Sequence, residues 1–191
     1  ILSNHDNPRI MDEVNGSVAK AKQAAAILFT LPYTPYVYYG DELGMYGPKP
    51  DEHIREPFLW GSADEANCTW EPNYHNKKTR AYPTQTTDAN SIYNTYKNLI
   101  HLRNNDEVLS DGIFLESPVK KLGMLGYMRK AGTKQYLVLH NLTGKKMDID
   151  ISSFSTAGGI EIVYKSNDHL IIKGNKISLS KYSSVVIANG E

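Results

Sequence analysis

From Val18 onward, apolar side chains recur at three- and four-residue intervals, at Val18, Ala21, Ala25, Leu28 and Leu31, while Lys20, Lys22 and Gln23 fill the opposite side. That period lays one apolar stripe along a helix. Ser17 supplies an oxygen for a free first-turn amide, and Pro32, which has no amide proton, stops the helix. Tyr36 to Tyr39 is patterned differently: four β-prone residues without alternation predict a short parallel strand buried on both faces. A stretch rich in Gly, Pro, Asn and Thr then runs from Gly40 to about Thr87, and an irregular connection of that length usually carries function. Helical spacing returns from Asp88 to Arg103, through Ile92, Tyr96, Leu99 and Arg103, with Tyr93, Ile100 and Leu102 widening the stripe.

Beyond Asn104-Asn105-Asp106 the pattern changes to short runs separated by turn residues. Strands are predicted at Gly123 to Met128, Tyr136 to His140, Met147 to Ile151, Ile160 to Tyr164, His169 to Ile172 and Ser184 to Ala188. Ala131-Gly132, Gly158-Gly159 and Gly174-Asn175 mark turns between some of them. The domain boundary is placed near Asp111, giving a mixed α/β segment over 1–110 and an all-β domain over 111–191.

Composition narrows the function classes. The chain has 191 residues and equal numbers of acidic and basic side chains, 21 each, so no basic field is present to gather nucleic acid or anionic lipid. A neutral substrate fits that balance. With one cysteine, Cys68, there is no internal disulfide, and the six histidines show neither His-x-His nor His-Glu-x-x-His spacing. The sequons at Asn15, Asn67 and Asn141 are read as chance. No apolar run is long enough to span a bilayer, so a soluble protein is expected, secreted or cytoplasmic, with the location left open.

The candidate chemistry opens the chain. Ile1 to Arg9 is a short apolar run that breaks into His5-Asp6 and then Asn7-Pro8, placing two side chains of catalytic type where a strand ends. Read from the residues alone, Asp6 is either a helix cap ahead of Pro8 or a functional carboxylate. Asp51 and Arg55, four apart, are either an exposed ion pair on a helical turn or a carboxylate and guanidinium that together read vicinal hydroxyls. Asp41 and Glu42 could be imagined as a local carboxylate pair. Gly40 and Gly44 suit a tight backbone, and Arg9 is expected to pair with a neighbouring acid or to support the loop. Trp60, Trp70, Tyr74 and Tyr82 share the long loop and are either packing residues or surfaces for sugar rings.

These segments, in order, resemble the α-amylase family of glycoside hydrolases, family thirteen. Asn4-His5-Asp6 is similar to the segment that closes the seventh strand of that family's (β/α)8 barrel. Pro35 to Gly40 followed by Glu42-Leu43-Gly44-Met45 is similar to the eighth strand and its Gly-x-Glu-x-Gly turn. Lys49-Pro50-Asp51, Ile54 to Pro57 and Trp60 resemble the sugar-binding loop beyond it. The resemblance implies the last two βα units of a TIM barrel followed by an antiparallel β-sandwich, in a retaining hydrolase of α-1,4-linked glucans such as starch and maltooligosaccharides. It implies Asp6 as the transition-state-stabilising carboxylate, His5 as a donor to the same sugar, and Asp51 and Arg55 as ligands of the neighbouring glucose.

Two barrel strands cannot close a barrel of eight. The chain is therefore expected to be the C-terminal portion of a longer enzyme, lacking the nucleophile and general acid that retaining hydrolysis requires, and inactive alone. Its partners would be the glucan and the N-terminal part of the barrel. No cofactor is expected in this chain; calcium is implied only for the part that is missing. α-Glucosidase, cyclomaltodextrinase, neopullulanase and transglycosidase readings share the Asn-His-Asp segment. A noncatalytic glycan-binding or structural module is the competing class. It would need clustered exposed aromatics on the β domain, whereas Phe114, Tyr127, Tyr136, Phe154, Tyr164 and Tyr182 are dispersed among the strands.

Overall fold

The computed structural model describes residues 1–61, 75–155, 159–167 and 169–190. Cys68, Trp70, Tyr74, the sequon at Asn67 and Gly158 lie outside the described residues. The chain divides into two compact units, Ile1–Leu28 with Thr34–Ile100, and Phe29–Tyr33 with His101–Glu191.

The first unit takes its helices from α1 (Ile10–Glu13), most of α2 (Val18–Thr30), α3 (Asp51–Ile54), α4 (Tyr82–Thr86) and most of α5 (Ile92–Asn104). Ser17 caps α2 as expected: its hydroxyl accepts from the Lys20 amide at 3.4 Å and its carbonyl from the Ala21 amide at 2.9 Å. Ala21, Ala25, Ala26 and Leu28 form the buried stripe, but Val18, in the first turn, is half exposed. The helix ends at Thr30, ahead of Leu31-Pro32. Helix α5 starts later than its spacing suggests. Asp88 accepts from the Asn90 amide at 2.9 Å, and Ser91 Oγ accepts from the Asn94 amide at 3.0 Å, so polar side chains hold residues 88–91 in a turn and cap the helix at Ser91.

One expectation differs. Neither Ile1–Ser3 nor Tyr36–Tyr39 forms a strand, and Tyr36, Val37 and Tyr39 are exposed rather than buried on both faces. A parallel strand exists only through ladders to its neighbours, and the first unit has no other strand among its described residues to offer them. Among its described residues the first unit consists of helices and connecting loops.

The second unit is a two-sheet antiparallel sandwich. Its strands are β1 (Ile113–Glu116), β2 (Met124–Ala131), β3 (Lys134–Asn141), β4 (Met147–Asp150), β5 (Ile160–Lys165), β6 (Ile171–Lys173), β7 (Lys176–Leu179) and β8 (Ser184–Asn189). One sheet has the order β1-β2-β3-β8-β5 and the other β4-β7-β6. The six expected strands are present, with β1 and β7 in addition. Leu137, Leu139, Val185 and Ile187 from the larger sheet meet Met147, Ile149, Ile177 and Leu179 from the smaller in one core. The alternate residues of the larger sheet, Tyr136, Val138 and Val186, pack with Tyr127 and with Val108 and Leu109 of α6 (Glu107–Ser110). Strand β3 is thus buried on both faces, which explains its almost uninterrupted apolar run.

Buried polar groups tie this unit together. Arg129, wholly buried, donates to the Gly112 carbonyl from Nε at 3.2 Å and Nη2 at 2.7 Å, and to the Thr30 carbonyl from Nη1 at 2.7 Å. A Cβ on Gly112 would stand 2.3 Å from the Val108 carbonyl oxygen, so only glycine lets the chain pass there. Arg103 donates to the carbonyls of Phe29, Leu31 and Tyr33, satisfying acceptors that the end of α2 leaves open.

Candidate functional site

The loop before α1 is fixed by its own side chains. Asn4 Oδ1 accepts from the amides of Asp6 and Asn7, each at 2.8 Å, which folds the backbone into a tight Asx turn and sends His5 and Asp6 outward. Ser3 Oγ accepts from the Ile10 amide at 2.9 Å. The helix-cap reading of Asp6 does not hold: α1 begins at Ile10, the Ser3 hydroxyl takes that amide, and the Asp6 carboxylate is left for other partners.

Those partners are His5 and Arg55, and Arg55 extends the cluster to Asp51. His5 Nε2 lies 3.2 Å from Asp6 Oδ2, and Arg55 Nη2 lies 3.3 Å from Asp6 Oδ1 and 3.4 Å from Asp51 Oδ2. Arg55 Nε also donates to the His5 carbonyl at 3.2 Å, and Lys49 Nζ pairs with Asp51. The structure therefore brings His5, Asp6, Asp51 and Arg55 into one exposed cluster, although 44 residues separate its two halves. Lys49 foremost, and then Arg55 and His5, hold the Asp51 carboxyl below its ordinary range. Its side chains are roughly half exposed, and its long contacts leave donors and acceptors free for hydroxyl groups.

Beneath the cluster sits a buried support that the sequence showed only in part. Arg9, fully buried, lies 4.6 Å and 4.9 Å from the ring centroids of Tyr38 and Tyr39. Its Nε donates to the Ile54 carbonyl at 3.0 Å and its Nη1 to the Tyr39 carbonyl at 2.6 Å. Nη1 stands 3.6 Å from Asp41 Oδ1, an ion-pair distance rather than a hydrogen bond. Arg9 thus does both things expected of it, facing an acid and supporting the loop that ends in Arg55. Burial pushes the Asp41 carboxyl up to about 6, with the Ser3 hydroxyl and Arg9 only partly opposing, and burial also raises Glu42. Asp41 is enclosed and faces Arg9, an arrangement unlike a reactive carboxylate pair. Gly40 and Gly44 both have positive φ, +86° and +69°, bracketing the tight Asp41–Leu43 turn.

Glu56 was not singled out by the sequence. It is fully buried, accepting from the His75 amide at 2.9 Å and from Asn76 Nδ2 at 2.7 Å. Asn76 in turn pairs with both backbone groups of Tyr46, at 2.8 Å and 2.9 Å. The only sequence signal was its place between Arg55 and Pro57. Among the described residues no group of three or more His, Cys, Asp or Glu stands together as metal ligands. No helix there is long and apolar enough to cross a membrane.

Comparison with known proteins places this geometry in context. Residues 1–112 match the family model described as "Alpha amylase, catalytic domain", and residues 124–186 match "Alpha-amylase SusG C-terminal domain". Alpha-amylase 3 of Dictyoglomus thermophilum is 34% identical over 97% of this chain and 37% of its own length. Alpha-amylase SusG of Bacteroides thetaiotaomicron is 36% identical over 79% of this chain and 23% of its own length. The crystal structure of an alpha-amylase from H. orenii superposes with a TM-score of 0.84 at 31% identity, covering 98% of this chain and 39% of that one. The chain thus spans well under half the length of the relatives it matches.

Proposed function

This chain belongs to the alpha-amylase family of glycoside hydrolases, and from that premise we propose that it is the C-terminal portion of a retaining enzyme acting on α-1,4-glucans. The observation that carries the proposal is the convergence of His5, Asp6, Asp51 and Arg55 on one exposed cluster.

In this reading Asp6 accepts hydrogen bonds from hydroxyls of the sugar at the scissile bond. Those bonds shorten as the ring flattens and its hydroxyl protons become more acidic, so the carboxylate stabilises the transition state more than the ground state. His5, at 3.2 Å, shares the Asp6 carboxylate and donates to the same sugar. Arg55 bridges Asp6 and Asp51, so it holds both carboxylates in register while its remaining donors and the Asp51 oxygens read the next glucose.

The nucleophile and general acid are assigned to a part of the enzyme outside this chain. Two observations support that assignment: the small share of each relative's length that the chain spans, and the exposed Tyr36, Val37 and Tyr39 where barrel strands would pair. The enzyme reading is favoured over a noncatalytic glycan-binding module because Tyr127, Tyr136 and Phe154 of the β domain are buried in its cores rather than displayed. Hydrolysis of a chromogenic maltooligosaccharide, followed with this chain alone and with the intact enzyme, tests the proposal. Activity with retention of anomeric configuration is expected from the intact enzyme only. Turnover by the purified chain, abolished by Asp41→Asn or Glu42→Gln, would overturn it.

A further inference from the structure

Glu56 is fully buried, and among the described residues no lysine or arginine pairs with it. Neutral donors satisfy its carboxyl group instead, the His75 amide at Oε1 and Asn76 Nδ2 at Oε2. Such a placement carries a desolvation cost that an apolar side chain would not, so the group is to be understood by what it fixes. Neither donor can turn. The His75 donor is a main-chain N–H. The Asn76 amide is locked in its orientation, because Nδ2 also donates to the Tyr46 carbonyl at 2.9 Å while Oδ1 accepts from the Tyr46 amide at 2.8 Å and from Thr79 Oγ1 at 2.9 Å. Two fixed donors require two acceptors, and among side chains of this length only the carboxylate supplies both.

This anchorage acts on the residue next to it. The Ile54 carbonyl, on one side of Arg55, accepts from Arg9 Nε at 3.0 Å, and the Glu56 carbonyl, on the other, accepts from Tyr39 Oη at 3.0 Å. Gly47 passes so close that a Cβ there would stand 2.7 Å from Ile54 Cα. The main chain around Arg55 is therefore held on both sides, and the Glu56 carboxyl group ties it to Asn76, 20 positions further on. The guanidinium, by contrast, has long contacts only: 3.2 Å to the His5 carbonyl, 3.3 Å to Asp6 Oδ1 and 3.4 Å to Asp51 Oδ2. Hydrogen bonds weaken beyond roughly 3.2 Å, so a drift of about 0.5 Å at the guanidinium would release both carboxylates.

We propose that Glu56 is a positioning residue for Arg55: by clamping the loop it sets where the guanidinium stands between Asp6 and Asp51, and with that the preference for glucans long enough to reach the second glucose. This rests on the functional reading above, in which Arg55 and Asp51 read the glucose next to the one being cleaved. Glu56 itself touches no sugar. Its effect reaches the substrate only through Arg55, and that gives the role a signature that a purely structural residue lacks.

The test is a double-mutant cycle in the intact enzyme, with Glu56→Ala, Arg55→Ala and both together, assayed on maltooligosaccharides of increasing length at a temperature where every variant is folded. Glu56→Ala is expected to lower kcat/KM for long oligosaccharides on the order of tenfold, mainly through KM, and to lower it far less for the shortest substrate. Its product pattern should shift as that of Arg55→Ala does. In the double variant the kinetic loss should be no greater than with Arg55→Ala alone, while the two stability losses add. Glu56→Gln, which keeps one acceptor, should recover part of the long-chain activity, and it takes the place of Glu56→Ala in the cycle if that variant does not fold. Kinetic losses that multiply in the double variant, or an equal loss at every chain length, would overturn the positioning role. The two proposals fail separately. Arg55→Ala altering length preference while neither Glu56 variant does so removes the positioning role alone, whereas an intact enzyme inert on all α-glucans removes the functional reading and this role with it.

Discussion

Acidification from pH 7.5 to 5 probes the interior of the β domain, because His140 is wholly buried there and its imidazole is pushed down to about 3 by burial. The ring is held neutral between Tyr127 Oη, 3.2 Å from Nε2, and Ser184 Oγ, 2.8 Å from Nδ1, and Tyr127 Oη is also hydrogen-bonded to Thr30 Oγ1 at 2.5 Å. In the unfolded chain the same group titrates near 6.5. Below that pH the unfolded state binds a proton that the folded state refuses, so stability falls with pH until the folded value is reached near 3. Each pH unit in this window costs about 1.4 kcal/mol, or about 2 kcal/mol by pH 5. The assay is urea unfolding at pH 7.5 and 5.0 for the chain and for His140→Gln, whose amide does not titrate. Asp41, raised to about 6 in the first unit, works in the opposite direction, but both proteins carry it and it cancels in the difference. The variant should start less stable and lose about 2 kcal/mol less on acidification. Equal pH losses in the two proteins, or an imidazole NMR resonance of His140 that titrates between pH 6 and 7, would refute the reasoning.

In the intact enzyme, Asp51→Ala and Arg55→Ala should each weaken cleavage of long oligosaccharides and shift the product pattern, measured by chromatography of the digests; unchanged kinetics at every length would leave only a surface ion pair. Glu56→Ala removes the acceptor of the His75 amide and one of the two acceptors of Asn76 Nδ2, which keeps the Tyr46 carbonyl, and should cost about 1–3 kcal/mol in thermal or denaturant unfolding. A truncated chain beginning at His101 should melt above one beginning at Asp111, since the latter loses Val108, Leu109 and Asp106, whose carboxylate accepts from Tyr136 Oη at 2.6 Å.

The β domain was legible because its inward residues alternate and its turns carry glycine, as at Gly132 and Gly174, both with positive φ. Strand β1 was missed because Ile113, Phe114 and Glu116 are exposed at a sheet edge and carry no alternation. The four candidate site residues were named by motif alone, but that Arg55 would join Asp6 to Asp51 was invisible, since it depends on the chain folding back across a sequence separation of 49. Glu56 and Asn76 were hidden for a related reason: a buried polar group reads in sequence like an exposed one, and only its partners show that it is enclosed. Tyr36–Tyr39 failed as a strand because the pattern describes a residue's preference, while a strand also requires neighbours.

The central claim, that Asp6 grips the sugar in the transition state, is tested most directly by steady-state kinetics of Asp6→Asn in the intact enzyme. Loss of one such stabiliser costs on the order of 100- to 1,000-fold in kcat, and KM and melting temperature should change little because the Asx turn is held by Asn4 rather than by the Asp6 carboxylate. A variant with near-normal kcat and a lowered melting temperature would contradict the account and return Asp6 to a structural role.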